Sequence, residues 1–211
     1  KTFVTDKLKG YLLTAVVGGV LMAALIHLIL TIGPSFWIWF SVLAAVFVLF
    51  VNMFYTSLIL PLFNKLTPLP AGELKTAIEN FSRKVDFPLD SIFVIDGSKR
   101  SKKANAFFSG IGKKKKIVLY DTLIENHTTD ELVAVLAHEV GHFKKKHVIW
   151  GYVLSILQIV FTLFVLSKMT YSESVSMALG GSQLAIHLNL LAFGILFSPI
   201  SGITGLFMNM Y

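Results

Sequence analysis

His138-Glu139-Val140-Gly141-His142 is the cluster in this chain whose residue types and spacing can do bond-breaking chemistry. Two residues four apart on a helix lie on one face about a turn apart, so both imidazoles can ligate one Zn²⁺. Glu139, about 100° round the helix from His138, is placed to act as general base on a zinc-activated water and to hand the proton to a leaving amine. Zinc lowers the pKa of its water to near 7, which makes this chemistry run at neutral pH. A buried structural pair of histidines would not require Glu139 between them. The spacing therefore points to a zinc metalloendopeptidase, with His138 and His142 as ligands of one Zn²⁺ and Glu139 catalytic.

A catalytic zinc takes three protein ligands and leaves one position open. After Glu139 the only carboxylate is Glu173, in a distant connection. His147 is five residues past His142, about 140° off the ligand face. His187 lies inside an apolar stretch. None is a convincing third ligand, so it lies either upstream or beyond Tyr211.

The elements that must position this cluster are legible around it. Thr128-Thr129-Asp130-Glu131 offers a capping box, Thr to Glu at three residues, opening a helix over Glu131–Lys146. Acid at its start and Lys144-Lys145-Lys146 at its end suit the helix dipole. Upstream, Leu74, Ile78, Phe81 and Val85 have helical spacing, and Phe87-Pro88-Leu89 ends that helix. Ile92–Ile95, Ala104–Phe108 and Ile117–Tyr120 have strand character, and Gly110–Lys116 suits a hairpin turn between the last two. Asn64–Pro70 reads as an extended segment. Residues 64–147 are long enough for a small α+β domain.

On either side of that insert the chain changes material. It is 55% hydrophobic and only 15% charged, against about 25% charged in an ordinary soluble domain. Four stretches, 11–32, 36–63, 148–167 and 184–211, contain no Asp, Glu, Lys or Arg. Each reaches the roughly 20 residues needed to cross a bilayer. The fold class is thus mostly α: polytopic membrane helices, two in residues 1–63 and two in 148–211, around an α+β insert carrying a gluzincin-like zinc helix. Of the 19 Lys and Arg, only Lys168 falls on the side opposite the insert. The positive-inside rule then makes the insert cytoplasmic, and the net charge of +7 reports orientation and anionic lipid. No nucleic-acid module accompanies the charge, so nucleic acid is excluded as a partner. His27, Asn52 and His187 are polar groups within the spans and are read first as hydrogen-bonding or interfacial residues. With no cysteine, thiolate chemistry and disulfides are absent.

Several long motifs occur in order: Pro61-Leu62-Phe63-Asn64-Lys65-Leu66-Thr67-Pro68-Leu69-Pro70, Asp96-Gly97-Ser98-Lys99-Arg100-Ser101, Asn105-Ala106-Phe107-Phe108, Ile117–Leu123 and Val133–His142. In these the chain resembles the integral-membrane zinc metallopeptidases known as CAAX prenyl proteases, type I, over nearly its whole length. The resemblance implies a chamber enclosed by membrane helices, with the zinc site near the cytoplasmic side of a bacterial inner membrane or the endoplasmic reticulum. It implies removal of the last three residues of a prenylated CAAX-box peptide or protein, and places Asn105, Ala106 and Phe107 beside the substrate backbone. It also implies a third ligand beyond Tyr211, a glutamate in a Glu-x-x-x-Asp pattern. The 211 residues are accordingly expected to be the central part of a longer enzyme, inactive by themselves. The alternatives carried forward are a membrane quality-control zinc protease, a non-catalytic membrane scaffold, and a transporter or channel.

Overall fold

The computed structural model describes residues 2–109, 115–145 and 147–209, and the chain packs as two units, 1–19 with 46–153 and 20–45 with 154–211.

The first unit is built on a four-stranded sheet in the order β1-β2-β4-β3, with β1 Leu66–Pro68, β2 Leu89–Ile95, β3 Ala106–Ser109 and β4 Lys115–Tyr120. β1 is antiparallel to β2, β2 is parallel to β4, and β3 is antiparallel to β4 with Ala106 opposite Leu119 and Phe108 opposite Ile117. The pairing expected of a β3–β4 hairpin is present; of the turn expected over 110–116, Lys115 and Lys116 belong instead to β4, where Lys116 pairs with Ser109, and 110–114 lie outside the described residues. Asn64–Pro70, expected only to be extended, contributes the edge strand β1.

Both faces of the sheet are covered, which explains the unbroken apolar run Ile117-Val118-Leu119 in its interior strand. On one face Ile92, Ala106, Ile117 and Leu119 share a core with Ile78, Leu123, Leu132 and Leu136. Those four come from α4 Glu73–Lys84, α5 Asp121–Asn126 and α6 Thr129–Lys144. On the other face Ile95 and Val118 pack with Leu60, and Phe107 joins them. Leu60 belongs to the second apolar stretch: α2 Phe36–Phe54 widens into a π turn at Tyr55–Ile59 and ends in α3 Leu60–Phe63. The widening sits beside Pro61, whose missing N–H interrupts the helical ladder.

The N-terminal helix α1 runs Thr2–Ile32, longer than the uncharged 11–32 because its charged first turns are helical too. Asp6 there accepts from Arg100 at 2.7 Å, and Lys9 donates to the Leu62 carbonyl at 2.8 Å. Arg100 also donates to the Phe63 carbonyl, which ties the start of α1 and the end of α3 to the loop after β2.

The second unit joins parts of α1 and α2 to α7 His147–Thr170 and α9 Ile186–Asn209. Between α1 and α2, Gly33 has φ +71° and Pro34 begins the next turn. A glycine in the left-handed region followed by proline ends one helix and starts another. Ile29, Phe36, Leu163 and Leu166 form the apolar core, and the Tyr171 hydroxyl donates to the Ile29 carbonyl at 2.6 Å. The connection 168–183, expected to be a plain turn, holds a short helix α8, Glu173–Ala178. Large apolar side chains elsewhere on these helices face outward, among them Leu12, Val20, Trp39, Phe161 and Ile195, the last 72% exposed. The runs Thr2–Phe63 and Ile149–Thr170 are long and apolar enough to cross a bilayer, with mean hydropathy 2.4 and 2.2. Such continuous exposed apolar surface is compatible with lipid and not with water.

Candidate active site

Helix α6 begins as its sequence requires. The Thr128 N–H donates to Glu131 Oε2 at 2.8 Å and the Glu131 N–H returns to Thr128 Oγ1 at 3.4 Å, a reciprocal capping box. These bonds, the backbone one first, hold the Glu131 carboxyl below its ordinary pKa. The helix is then fixed by Leu132, Leu136 and Val140, one apolar stripe at four-residue spacing, each at most 4% exposed. The stripe sets the rotation of everything else on the helix. His138, two residues past Leu136 and so about 200° round, is exposed, and Glu139 is half-buried at the edge of the stripe. His142 continues the same helix one turn further on, and its side chain, like that of His147, lies outside the described residues.

The core under α6 includes Ala106, 7% exposed, so α6 packs across β3. β3 ends the sheet order, and β4 is the strand paired with it among the described residues. The Tyr120 N–H donates to the Asn105 carbonyl at 3.1 Å, which fixes the phase of the antiparallel ladder. Asn105, Phe107 and Ser109 therefore turn their main-chain groups toward β4, and Ala106 and Phe108 turn theirs toward the outer edge. Asn105 is exposed, and its side-chain carbonyl accepts from the Ala106 N–H at 2.9 Å, covering the first outward donor. Phe107 is half-buried on the opposite face, its ring 6.5 Å from that of Tyr55 in the π turn, and the Thr56 and Ser109 hydroxyls meet there. Of the three residues expected beside a substrate, Ala106 and Phe107 are thus committed by their side chains to the two cores. What the strand presents at its edge is main chain.

The approach to β3 is held from below. Ser98 donates from its N–H at 2.8 Å and from its hydroxyl to Asp121, which opens α5. Gly97 is required here, because a Cβ would come within 2.3 Å of the Tyr120 ring. Asp96 accepts from the Lys65 N–H at 2.8 Å and from Lys99 at 2.7 Å. Burial alone would raise the pKa of both carboxyls, but these bonds outweigh it and hold both below the ordinary value. Both acids therefore contribute stability in full above the unfolded carboxylate pKa of about 3.9, and lose it as pH falls through their lower folded values. Amide exchange in the 96–105 loop is expected to stay slow down to about pH 4 and to accelerate below it. Acceleration beginning near pH 6 would contradict this assignment.

Among the described residues, no group of three or more His, Cys, Asp or Glu side chains gathers at one point. His138, exposed and off the buried stripe, and His142, one turn further along the same helix, are of the residue type that zinc takes. Neither His27 nor Asn52 carries a signal of its own. Asn52 donates to the Val48 carbonyl of its own helix at 3.0 Å, and His27 and His187 are exposed.

The family model described as "Peptidase family M48" matches residues 68–210, and "CAAX prenyl protease N-terminal, five membrane helices" matches residues 1–65. The chain belongs to peptidase family M48. Similar members of this family are the "CAAX prenyl protease 1 homolog" of Arabidopsis thaliana, 42% identical over 152 residues and 72% of this chain, and "CAAX prenyl protease 1" of Saccharomyces cerevisiae, 42% identical over 172 residues and 77% of this chain. This chain spans 36% of the length of each. The solved structure titled "Crystal Structure of S. mikatae Ste24p" superposes with a TM-score of 0.89 at 32% identity, over 99% of this chain and 52% of that one. The mostly helical fold with a small sheet is thus that of a solved member of the family.

Proposed function

We propose that the natural protein is a membrane-embedded zinc endopeptidase of the CAAX type, cutting peptide bonds near the C-terminus of prenylated substrates. The observation that carries this reading is the placement of helix α6, with His138 and Glu139 off its buried stripe, across an edge strand that offers main-chain groups. An extended peptide added to β3 would be held by backbone hydrogen bonds, with little demand on its side chains. His138 and His142 would hold the metal. Zinc, when bound, supplies a Lewis acid that polarises the scissile carbonyl and lowers the pKa of water. Glu139 takes the proton released at attack and delivers it to the departing amine, which needs a carboxylate within hydrogen-bond reach of both.

The reading extends to the membrane. Residues 1–63 and 148–211 would each cross twice, leaving 64–147 as the cytoplasmic catalytic domain and a single Lys168 on the far side. The partners are then a prenylated peptide or protein and the lipid bilayer, and the cofactor is one Zn²⁺ per chain. The third ligand would lie beyond Tyr211.

Main-chain recognition has a signature that side-chain recognition lacks. Peptides carrying a single N-methyl group, moved one residue at a time, are expected to alternate between large and small losses in kcat/KM. About tenfold should separate the two classes, since strand residues bond the partner on alternate sides. A smooth dependence on position would rule out strand addition.

A further inference from the structure

Capture by main chain alone leaves unanswered how a cut is placed at a defined distance from the end of a substrate. The loop leading into β3 carries four cations, Lys99, Arg100, Lys102 and Lys103, and they are not equivalent. Lys99 is paired with Asp96 at 2.7 Å, and Arg100 with Asp6 at 2.7 Å and with the Phe63 carbonyl. Lys102 and Lys103 are exposed and form no ion pair among the described residues. The backbone of Lys103 is nevertheless fixed. The Lys103 N–H donates to Ser101 Oγ at 3.1 Å, and its carbonyl accepts from the Thr122 hydroxyl at 3.0 Å.

Lys102 lines a cleft of about 550 Å³ together with Ser98, Ser101, Ala104, Glu125 and Asn126, among others, and Lys103 follows it in the chain. Glu125 is its only acid among those lining it and makes no ion pair with Lys102. Ser98, Ser101, Thr122, Glu125 and Asn126 bring polar side chains to its wall.

The direction of strand pairing links this cleft to the reaction. β3 runs from Ala106 to Ser109, so a substrate added antiparallel, the more stable pairing, runs the other way. Its C-terminal residues pass Ala106 and continue alongside Asn105 and Ala104. Leu136 shares the core of Ala106, and His138 follows Leu136 by two residues, about 3 Å of helix rise, which puts the reacting bond near the level of Ala106. Three extended residues beyond it cover about 10 Å and end level with Lys103 and Lys102.

We propose that Lys102 and Lys103 form an anion subsite for the free C-terminal carboxylate of the substrate, so that the enzyme sets its cut by counting back from the chain end. The proposal rests on the strand-addition reading above. It gives a role to two cations that form no ion pair among the described residues, while Lys99 and Arg100 in the same loop are paired with acids.

The test uses the full natural protein and a pair of peptides identical except for a C-terminal carboxylate or carboxamide. Wild type is expected to favour the carboxylate peptide about tenfold in kcat/KM, and the preference should shrink as salt is raised. In the double variant Lys102→Gln with Lys103→Gln the ratio should fall to about one, and in Lys102→Arg with Lys103→Arg it should be retained. Because the readout is a ratio within one protein, a change in the amount of folded enzyme does not move it. An undiminished ratio in the Gln variant, or no preference in wild type, overturns the carboxylate subsite while leaving the protease reading intact. Failure of wild type to cut either peptide overturns both.

Discussion

Replacing Glu139 by Gln in the full natural protein is expected to lower kcat by about 10²–10⁴-fold, the contribution typical of a positioned general base. Glutamine keeps the shape and the hydrogen-bonding carbonyl of the side chain but cannot accept a proton. Glu139 is also half-buried beside a stripe, Leu132, Leu136 and Val140, that this change does not touch, so the helix should remain as it is. Metal content should stay at one zinc per chain. His138→Ala should instead lose both metal and activity, because it deletes a ligand and not the base. The two variants together separate binding from chemistry, and zinc analysis with a peptide-cleavage assay reads both. An E139Q protein retaining more than a tenth of wild-type kcat would remove Glu139 from the role of base, and a scaffold or transporter reading would regain ground.

The second large effect lies far from that chemistry in sequence. Asn189 is fully buried near the start of α9. Its amide donates to the Thr170 carbonyl at 3.0 Å and the Ser172 carbonyl at 2.9 Å, and its side-chain carbonyl accepts from the Ser176 hydroxyl at 2.9 Å. Ser176 Oγ in turn accepts from the Ala185 N–H at 2.9 Å. One side chain therefore fastens the end of α7, the short helix α8 and the start of α9. Single hydrogen bonds among membrane helices average only about 0.6 kcal/mol, because the unfolded helices find other partners. Here three converge, and Leu at this position would leave the Thr170 carbonyl buried without its partner and remove one bond each from the Ser172 carbonyl and the Ser176 hydroxyl, at about 1 kcal/mol each. Asn189→Leu is expected to destabilise the protein by about 2–4 kcal/mol. Asn52→Leu, which removes only a bond to the Val48 carbonyl within the same helix, should cost under about 0.5 kcal/mol. Thermal unfolding in detergent checks the pair. Equal, small effects would mean that the Asn189 bonds are replaced by others and that the hairpin is held by its apolar contacts alone.

The contrast between Asn52 and Asn189 shows where sequence reading reaches its limit. Both are asparagines in apolar stretches, and nothing in their immediate neighbours separates them. Asn52 attracts notice, and Asn189, the one that fastens a hairpin, does not, because its partners lie up to 19 residues away across a turn. The same holds for Arg100 and Asp6, which meet across 94 positions of sequence. The strand β1 and the helices α5 and α8 escaped as well. Three to six residues are too few to show a period, and tertiary contacts decide their conformation.

What the sequence by itself determined is the set of properties carried by local pattern. The uncharged stretches mark the long helices, Thr128 and Glu131 mark the start of α6, and the four-residue spacing of His138 and His142 sets two histidines a turn apart on that helix. Each is an interaction among residues within a turn or two of one another, so the order of side chains encodes it directly. Only the tertiary structure decided that β3 ends the sheet, that α6 lies across it, that Ala106 and Phe107 serve the two cores while the main chain of Ala106 and Phe108 faces the outer edge, and that Lys102 and Lys103 form no ion pair among the described residues. Those facts depend on strand order and on contacts closed over tens of residues, where each pairing is selected by the burial of two complementary surfaces and by no feature of either segment alone.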